Sequence, residues 1–148
     1  MNPSKLFELF DKARQHLKWP SLTIQQYVDE AKFDRAQIRL SSGTDLDIIW
    51  VSNGLGKGNP NNKLYGRFSR TNFIAYRNDV FDIIPIMQEL CEDPIKFGAL
   101  HGQQYKHCCF CNTELTSKTS LFAGYGPICA DNWGLPWGEI KDESLEHL

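Results

Sequence analysis

Apolar and polar residues are arranged along the chain in patterns that predict a first helix and then a group of strands. Near the amino end, apolar residues recur at helical spacing, and Asn2 and Pro3 suit a helix start. Because Trp19 precedes Pro20, we expect this helix to end there. Runs rich in Ile, Val, Thr and aromatic residues predict strands at 22–28, 36–40, 46–51, 64–69 and 71–76, with a glycine- and asparagine-rich loop at 53–62.

The second half of the chain predicts short helices. We expect one over 82–91 and another that begins at Asp93-Pro94 and ends near His101-Gly102. Beyond it, turn residues predict a hairpin and a short helical turn at 130–133.

These elements predict an α+β protein with an N-terminal helix, a small antiparallel β-sheet and further helices, followed by a small module of the treble-clef or zinc-ribbon kind. We place an α+β domain at 1–92 and a metal-binding module at 93–138. An acidic, frayed tail is expected at 139–148.

Composition narrows the class of protein. The 148 residues are 41% apolar and carry a net charge of −2, and no apolar run approaches the roughly 20 residues of a membrane-spanning helix. The first residues form no charged and apolar leader, so we expect a cytoplasmic protein with reduced thiols and no membrane partner. Charge is segregated: residues 48–78 carry five basic and no acidic side chains, whereas 79–148 carry four basic and eleven acidic ones.

Cysteine spacing predicts a metal site. Cys108 and Cys111 form a C-x2-C step followed by Asn112, a residue that tolerates the left-handed conformation of a metal knuckle. Seventeen residues separate Cys111 from Cys129, and the last five of them, Gly-Tyr-Gly-Pro-Ile, present Cys129. This spacing is typical of structural zinc sites and predicts Cys108, Cys111 and Cys129 as zinc ligands.

The fourth ligand is less well defined by the sequence. His107 is the preferred candidate because it lies beside the knuckle and is chemically competent. The alternatives are His101, Asp131, Cys91 and Cys109, although Cys91 and Cys109 fit better as small buried apolar residues.

The stretch 93–137 resembles a small zinc-binding domain of unknown function found in bacteriophage and prophage proteins. The matching features are Cys108, Cys111, Leu115, Thr116, Ser120, Gly124-Tyr125-Gly126-Pro127, Cys129 and Gly134-Leu135-Pro136-Trp137-Gly138. Two positions depart from the family pattern: Asn112 replaces a usual glycine, and Ser117-Lys118 replaces a frequent Asp-Pro. The resemblance implies zinc and a phage-type origin, hence the cytoplasm of a bacterial host, but no established activity.

No catalytic motif emerges from the sequence. There is no phosphate-binding Gly-Lys-Ser/Thr loop, His-Glu-x-x-His helix, nucleophile elbow or deaminase signature, so we expect a protein that acts by binding and is not an enzyme. Our first hypothesis is nucleic-acid binding through the basic, aromatic strands of 48–78, because arginine and lysine neutralise phosphates and aromatic rings stack on bases. The candidates are Lys63, Tyr65, Arg67, Arg70 and Arg77.

The alternative hypothesis is a phage effector that binds and inhibits a host protein, as an anti-CRISPR or other anti-defence factor does, or as a host-takeover factor does. The acidic carboxyl end and the candidate surface residues Trp133 and Trp137 favour this second class. The ordinary interpretation of the aromatic strands is also open, with the rings in the core and the basic side chains on a solvated face.

Overall fold

The computed structural model describes residues 1–32, 34–77 and 81–137. It begins with helix α1, Ser4–Ala13, whose start is fixed by the Asn2 side chain: its Oδ1 accepts a hydrogen bond from the Ser4 backbone N–H at 3.0 Å. The helix ends earlier than the prediction at Trp19-Pro20. After Ala13, the backbone N–H of His16 donates to the Ala13 carbonyl, so a tighter turn replaces the helical pattern.

Five strands form one antiparallel sheet in simple sequence order: β1 Ser21–Asp29, β2 Asp34–Ser42, β3 Ile49–Ser52, β4 Leu64–Phe68 and β5 Phe73–Ala75. A 3-10 turn at Glu30–Lys32 follows β1. The prediction of five strands is confirmed, but the third begins at Ile49 and not at residue 46. The reason is local: Asp45 Oδ1 accepts the Asp47 N–H at 2.9 Å and holds a turn there.

One face of the sheet is apolar and forms the core. Its buried side chains alternate along the strands, as a half-buried sheet requires; they are Leu22, Ile24, Ile38, Leu40, Ile49, Val51 and Phe68. Helix α1 presents Leu6, Phe7, Leu9, Phe10 and Ala13 to the same core. The opposite face is polar and partly exposed.

Two helices follow the sheet, α2 at Ile83–Glu92 and α3 at Pro94–Tyr105. Both starts are capped, because the Asp82 and Asp93 side chains accept hydrogen bonds from the backbone N–H groups of Ile84 and Lys96. The predicted start of α3 at Asp93-Pro94 is confirmed. The predicted end of α3 near residue 102 is wrong. The helix continues to Tyr105 and ends at Lys106, which adopts a left-handed φ of 60°.

The cysteine-rich segment contains two more helices, α4 at Lys118–Ala123 and α5 at Pro127–Trp133. Helix α4 was not predicted, although Ser117 caps it by accepting the Ser120 N–H at 3.1 Å. The predicted hairpin reduces to one antiparallel bridge between His107 and Glu114. The helical turn expected at 130–133 extends back to Pro127. The α+β class with a small cysteine module is confirmed.

The buried core is continuous across the predicted boundary between residues 92 and 93. Helix α3 packs on β1 and α2, and α5 packs on α1. Trp133 is 1% exposed, so it belongs to this core and not to a docking surface. The expected tail at 139–148 lies outside the described residues. None of the helices in the described ranges is long and apolar enough to cross a membrane.

Candidate metal centre and basic sheet face

The knuckle at 108–111 is built by backbone hydrogen bonds. The N–H of Asn112 donates to the Cys108 carbonyl at 2.8 Å, and the Cys108 N–H donates to the Thr113 carbonyl at 2.8 Å. Asn112 has a φ of 60°, which confirms the expected left-handed position. The chain therefore reverses tightly after the C-x2-C step and turns both thiols to one side.

The second turn of the site is held against α3 by two glycines. Gly124 has a φ of +84°, and a Cβ at this position would overlap the Ala99 carbonyl oxygen. A Cβ on Gly102 would overlap the Gly124 carbonyl oxygen. This close backbone approach fixes the position of the segment that leads through Gly126 to Cys129.

The two turns bring the three predicted cysteine ligands together. The sulfur atoms of Cys108, Cys111 and Cys129 all lie within 4.8 Å of one another, which is close enough to bind one metal ion. Cys108 is buried, Cys129 lies half-buried in the first turn of α5, and Cys111 is exposed. The cluster therefore lies at the surface.

The electrostatics of the cluster favour a thiolate. The pKa of Cys108 is lowered, chiefly because it receives a hydrogen bond from the Cys129 side chain. Burial opposes this effect, and the backbone N–H groups of Gly126, Cys111 and Phe110 add to it. The pKa of Cys129 is raised by the same hydrogen bond and by burial. Backbone amides that hydrogen-bond a cysteine sulfur are the second layer that a metal–thiolate site requires.

The structure does not bring the fourth-ligand candidates into this cluster. Among the described residues, no histidine or carboxylate joins the three sulfurs. The Nδ1–H of His107 donates to the Tyr105 carbonyl at 2.8 Å, and the Nδ1–H of His101 donates to the Phe97 carbonyl at 2.7 Å. Both imidazoles line a polar cleft of about 220 Å³, together with Arg35 and Cys108.

The remaining two cysteines are packing residues. Cys109 is 2% exposed beside Gly98 of α3, and burial raises its pKa well above the usual range. Its carbonyl accepts the Thr23 N–H of β1 at 2.6 Å, which ties the module to the edge of the sheet. Cys91 is buried on α2, and burial raises its pKa to about 11.

The five predicted nucleic-acid-binding residues do not share one surface. Tyr65 is 2% exposed: it lies at the register shift between β3 and β4, and its ring packs against Phe81. Arg70 forms ion pairs with Asp11 at 3.0 Å and Asp47 at 2.6 Å. Its charge is therefore used to hold the loop after β4 to α1. Lys63 and Arg77 are half-buried at the two ends of the β4–β5 region.

Arg67 has different neighbours, which the charge count over 48–78 only partly revealed. It lies on the polar face of the sheet. Its partner in register on β3 is Trp50, and its partner in register on β5 is Ile74. Arg39 of β2 is exposed on the same face, opposite Ser52. Arg39 was missed because β2 lies outside the basic segment 48–78. The alternation of polar and apolar residues along β2 could have placed it on the polar face.

The fold and the cluster define a small α+β protein with a treble-clef-like, metal-competent cysteine module. Within that class, a model described as a family of unknown function (DUF6011) matches residues 98–134. This stretch contains the three clustered cysteines and both glycines of the close approach. No curated protein and no solved structure matches the chain.

Proposed function

We propose that the cysteine cluster binds zinc and that the metal has a structural role. Three cysteine thiolates are soft ligands that suit zinc, and the knuckle and the first turn of α5 supply them as treble-clef modules do. The backbone N–H groups around Cys108 would stabilise the negative charge of a metal–thiolate unit. The resemblance to phage and prophage domains is consistent with zinc and supports a phage-type origin for the protein.

We propose further that the protein is a non-enzymatic accessory factor that binds nucleic acid through the polar face of the sheet. The observation that carries this proposal is the alignment of Trp50 with Arg67, beside the exposed Arg39, on a face where the strand side chains that the structure describes include no carboxylate. Within the described residues of the strands, 21–26, 35–42, 49–52, 64–68 and 73–75, the charged side chains are Arg35, Arg39 and Arg67. Such a face combines phosphate neutralisation with a ring available for base stacking.

Two of the predicted binding residues, Arg67 and Arg70, differ in their ion pairs. Arg67 makes no ion pair among the described residues, whereas Arg70 is bound to two carboxylates. A phosphate would have to displace Asp11 and Asp47 to reach Arg70. Arg67 and Arg39 therefore carry the proposed interaction, and Arg70 serves as a matched control of the same chemistry.

Fluorescence anisotropy with labelled single-stranded DNA and RNA tests the proposal at several salt concentrations. We expect binding that weakens steeply with salt, and Arg39→Gln and Arg67→Gln should each reduce the slope of log K against log salt by about 0.7. Arg70→Gln should leave the slope unchanged. Absence of binding at low salt, or equal effects of all three substitutions, would overturn the proposal and favour a host-protein partner instead.

A further inference from the structure

The three clustered sulfurs lie along the wall of an open cleft. The cleft has a volume of about 480 Å³ and is also lined by Glu114, Leu115, Ile128 and Trp137. Ile128 is 77% exposed at its rim, and Cys111 is itself exposed. A metal ion held by the three sulfurs would therefore be accessible from this cleft.

Among the described residues, no fourth cysteine, histidine or carboxylate joins the three sulfurs. His107 lines the polar cleft, which shares Cys108 with the metal cleft, and its Nδ1–H donates to the Tyr105 carbonyl. Glu114 lines the metal cleft, and neither residue joins the three sulfurs. A closed structural zinc site has four protein ligands, whereas three ligands leave one position for an incoming group. Three sulfurs with no fourth such ligand among the described residues fit the second kind of site.

We propose that this open position accepts a neutral nitrogen donor, the imidazole of a histidine from a partner, which would complete a Cys3His set. The proposal rests on metal binding by the cluster. A divalent ion with three thiolates carries one net negative charge, and the Glu114 carboxylate adds another in the same cleft. An anionic fourth ligand is therefore disfavoured relative to a neutral one. The apolar walls formed by Leu115, Ile128 and Trp137 suit a flat ring.

Cobalt substitution tests the proposal because the absorption of Co²⁺ reports its ligands. The Co²⁺-loaded full-length protein is titrated with imidazole and, in parallel, with thiocyanate. We expect the ligand-field bands to shift saturably with imidazole, while the thiolate-to-cobalt charge-transfer bands persist. The affinity for imidazole should exceed that for thiocyanate at least tenfold. Unchanged bands in a cobalt-loaded protein would overturn the open position alone, and failure to load cobalt would also overturn the zinc site.

Substitutions separate the remaining explanations. His107→Ala and His147→Gln should leave the spectrum without imidazole unchanged, and a change in either would identify a fourth ligand within the chain and overturn the proposal.

Ile128→Trp narrows the cleft at an exposed position and should weaken imidazole binding about tenfold with the charge-transfer bands intact. Glu114→Gln should strengthen thiocyanate binding severalfold, whereas Glu92→Gln, on α2, should not. Equal effects of these last two would contradict the charge argument.

Discussion

The edge of one aromatic ring meets the face of another where α1 packs on α5: the ring centroids of Phe10 and Trp133 are 5.1 Å apart and their planes are perpendicular. Trp133 also stacks on Phe110 of the knuckle, with centroids 4.3 Å apart. The tryptophan thus lies between the first helix and the metal-competent turn. The stability of the cysteine module and that of the amino-terminal helix are therefore coupled through one side chain.

The Phe10–Trp133 contact predicts a measurable coupling energy. Phe10→Ala and Trp133→Ala should each lower the free energy of unfolding by about 3–5 kcal/mol, because each leaves a cavity in a fully buried position. In a double-mutant cycle, the aromatic pair should contribute about 0.5–1.5 kcal/mol of coupling. Chemical denaturation measures these values.

Trp19→Ala is the control for that cycle, since Trp19 is 52% exposed and should lose little stability. Additive effects of the Phe10 and Trp133 substitutions would show that the two rings do not interact energetically.

The close approach of Gly102 and Gly124 predicts that Gly102→Ala destabilises the protein, although glycine-to-alanine changes in a helix usually stabilise it. In an ordinary helix, Gly→Ala stabilises by roughly 1 kcal/mol. At Gly102, a Cβ would overlap the Gly124 backbone, which is already fixed against Ala99. We therefore expect Gly102→Ala to destabilise by about 1–3 kcal/mol, as overpacking does. Thermal unfolding compared with Gly58→Ala, a site with open space around it, checks the sign.

Part of this architecture could be predicted because the signals are local. Alternating Ile and Leu residues define the strands, Asp93-Pro94 defines the start of α3, and the C-x2-C step followed by Asn112 defines the knuckle. Each depends on residues close together in sequence, where spacing alone determines geometry.

The features that could not be predicted depend on contacts distant in sequence. Gly102 looked like a helix end, but in the structure it is the point where α3 approaches the Gly124 backbone, and α3 continues to Tyr105. Likewise, Arg70 and Arg67 are three residues apart and equivalent in a charge count. Only the fold shows that Arg70 is bound by Asp11 and Asp47.

The sulfur cluster predicts that metal binding requires all three cysteines together. We expect native mass spectrometry to detect one bound zinc, and Cys108→Ser, Cys111→Ser or Cys129→Ser should each abolish it, because only two of the three clustered thiolates remain. Cys91→Ala should retain full stoichiometry. Chelation should also lower the melting temperature, since a metal that binds the folded state alone stabilises it. A zinc-loaded protein in any of the three serine variants would contradict the ligand set.

Burial of Cys91 predicts a pH-dependent protection from alkylation. Its pKa is raised to about 11 by burial, so at pH 8 only about one molecule in a thousand carries the reactive thiolate. With iodoacetamide, Cys91 of the folded protein should react far more slowly than a free thiol. Its rate should rise about tenfold per pH unit toward pH 11 as the thiol deprotonates. Peptide mass spectrometry measures the modified fraction, and the denatured protein supplies the unprotected rate. Equal rates in the folded and denatured protein would show that the Cys91 thiol is not protected by burial in the fold.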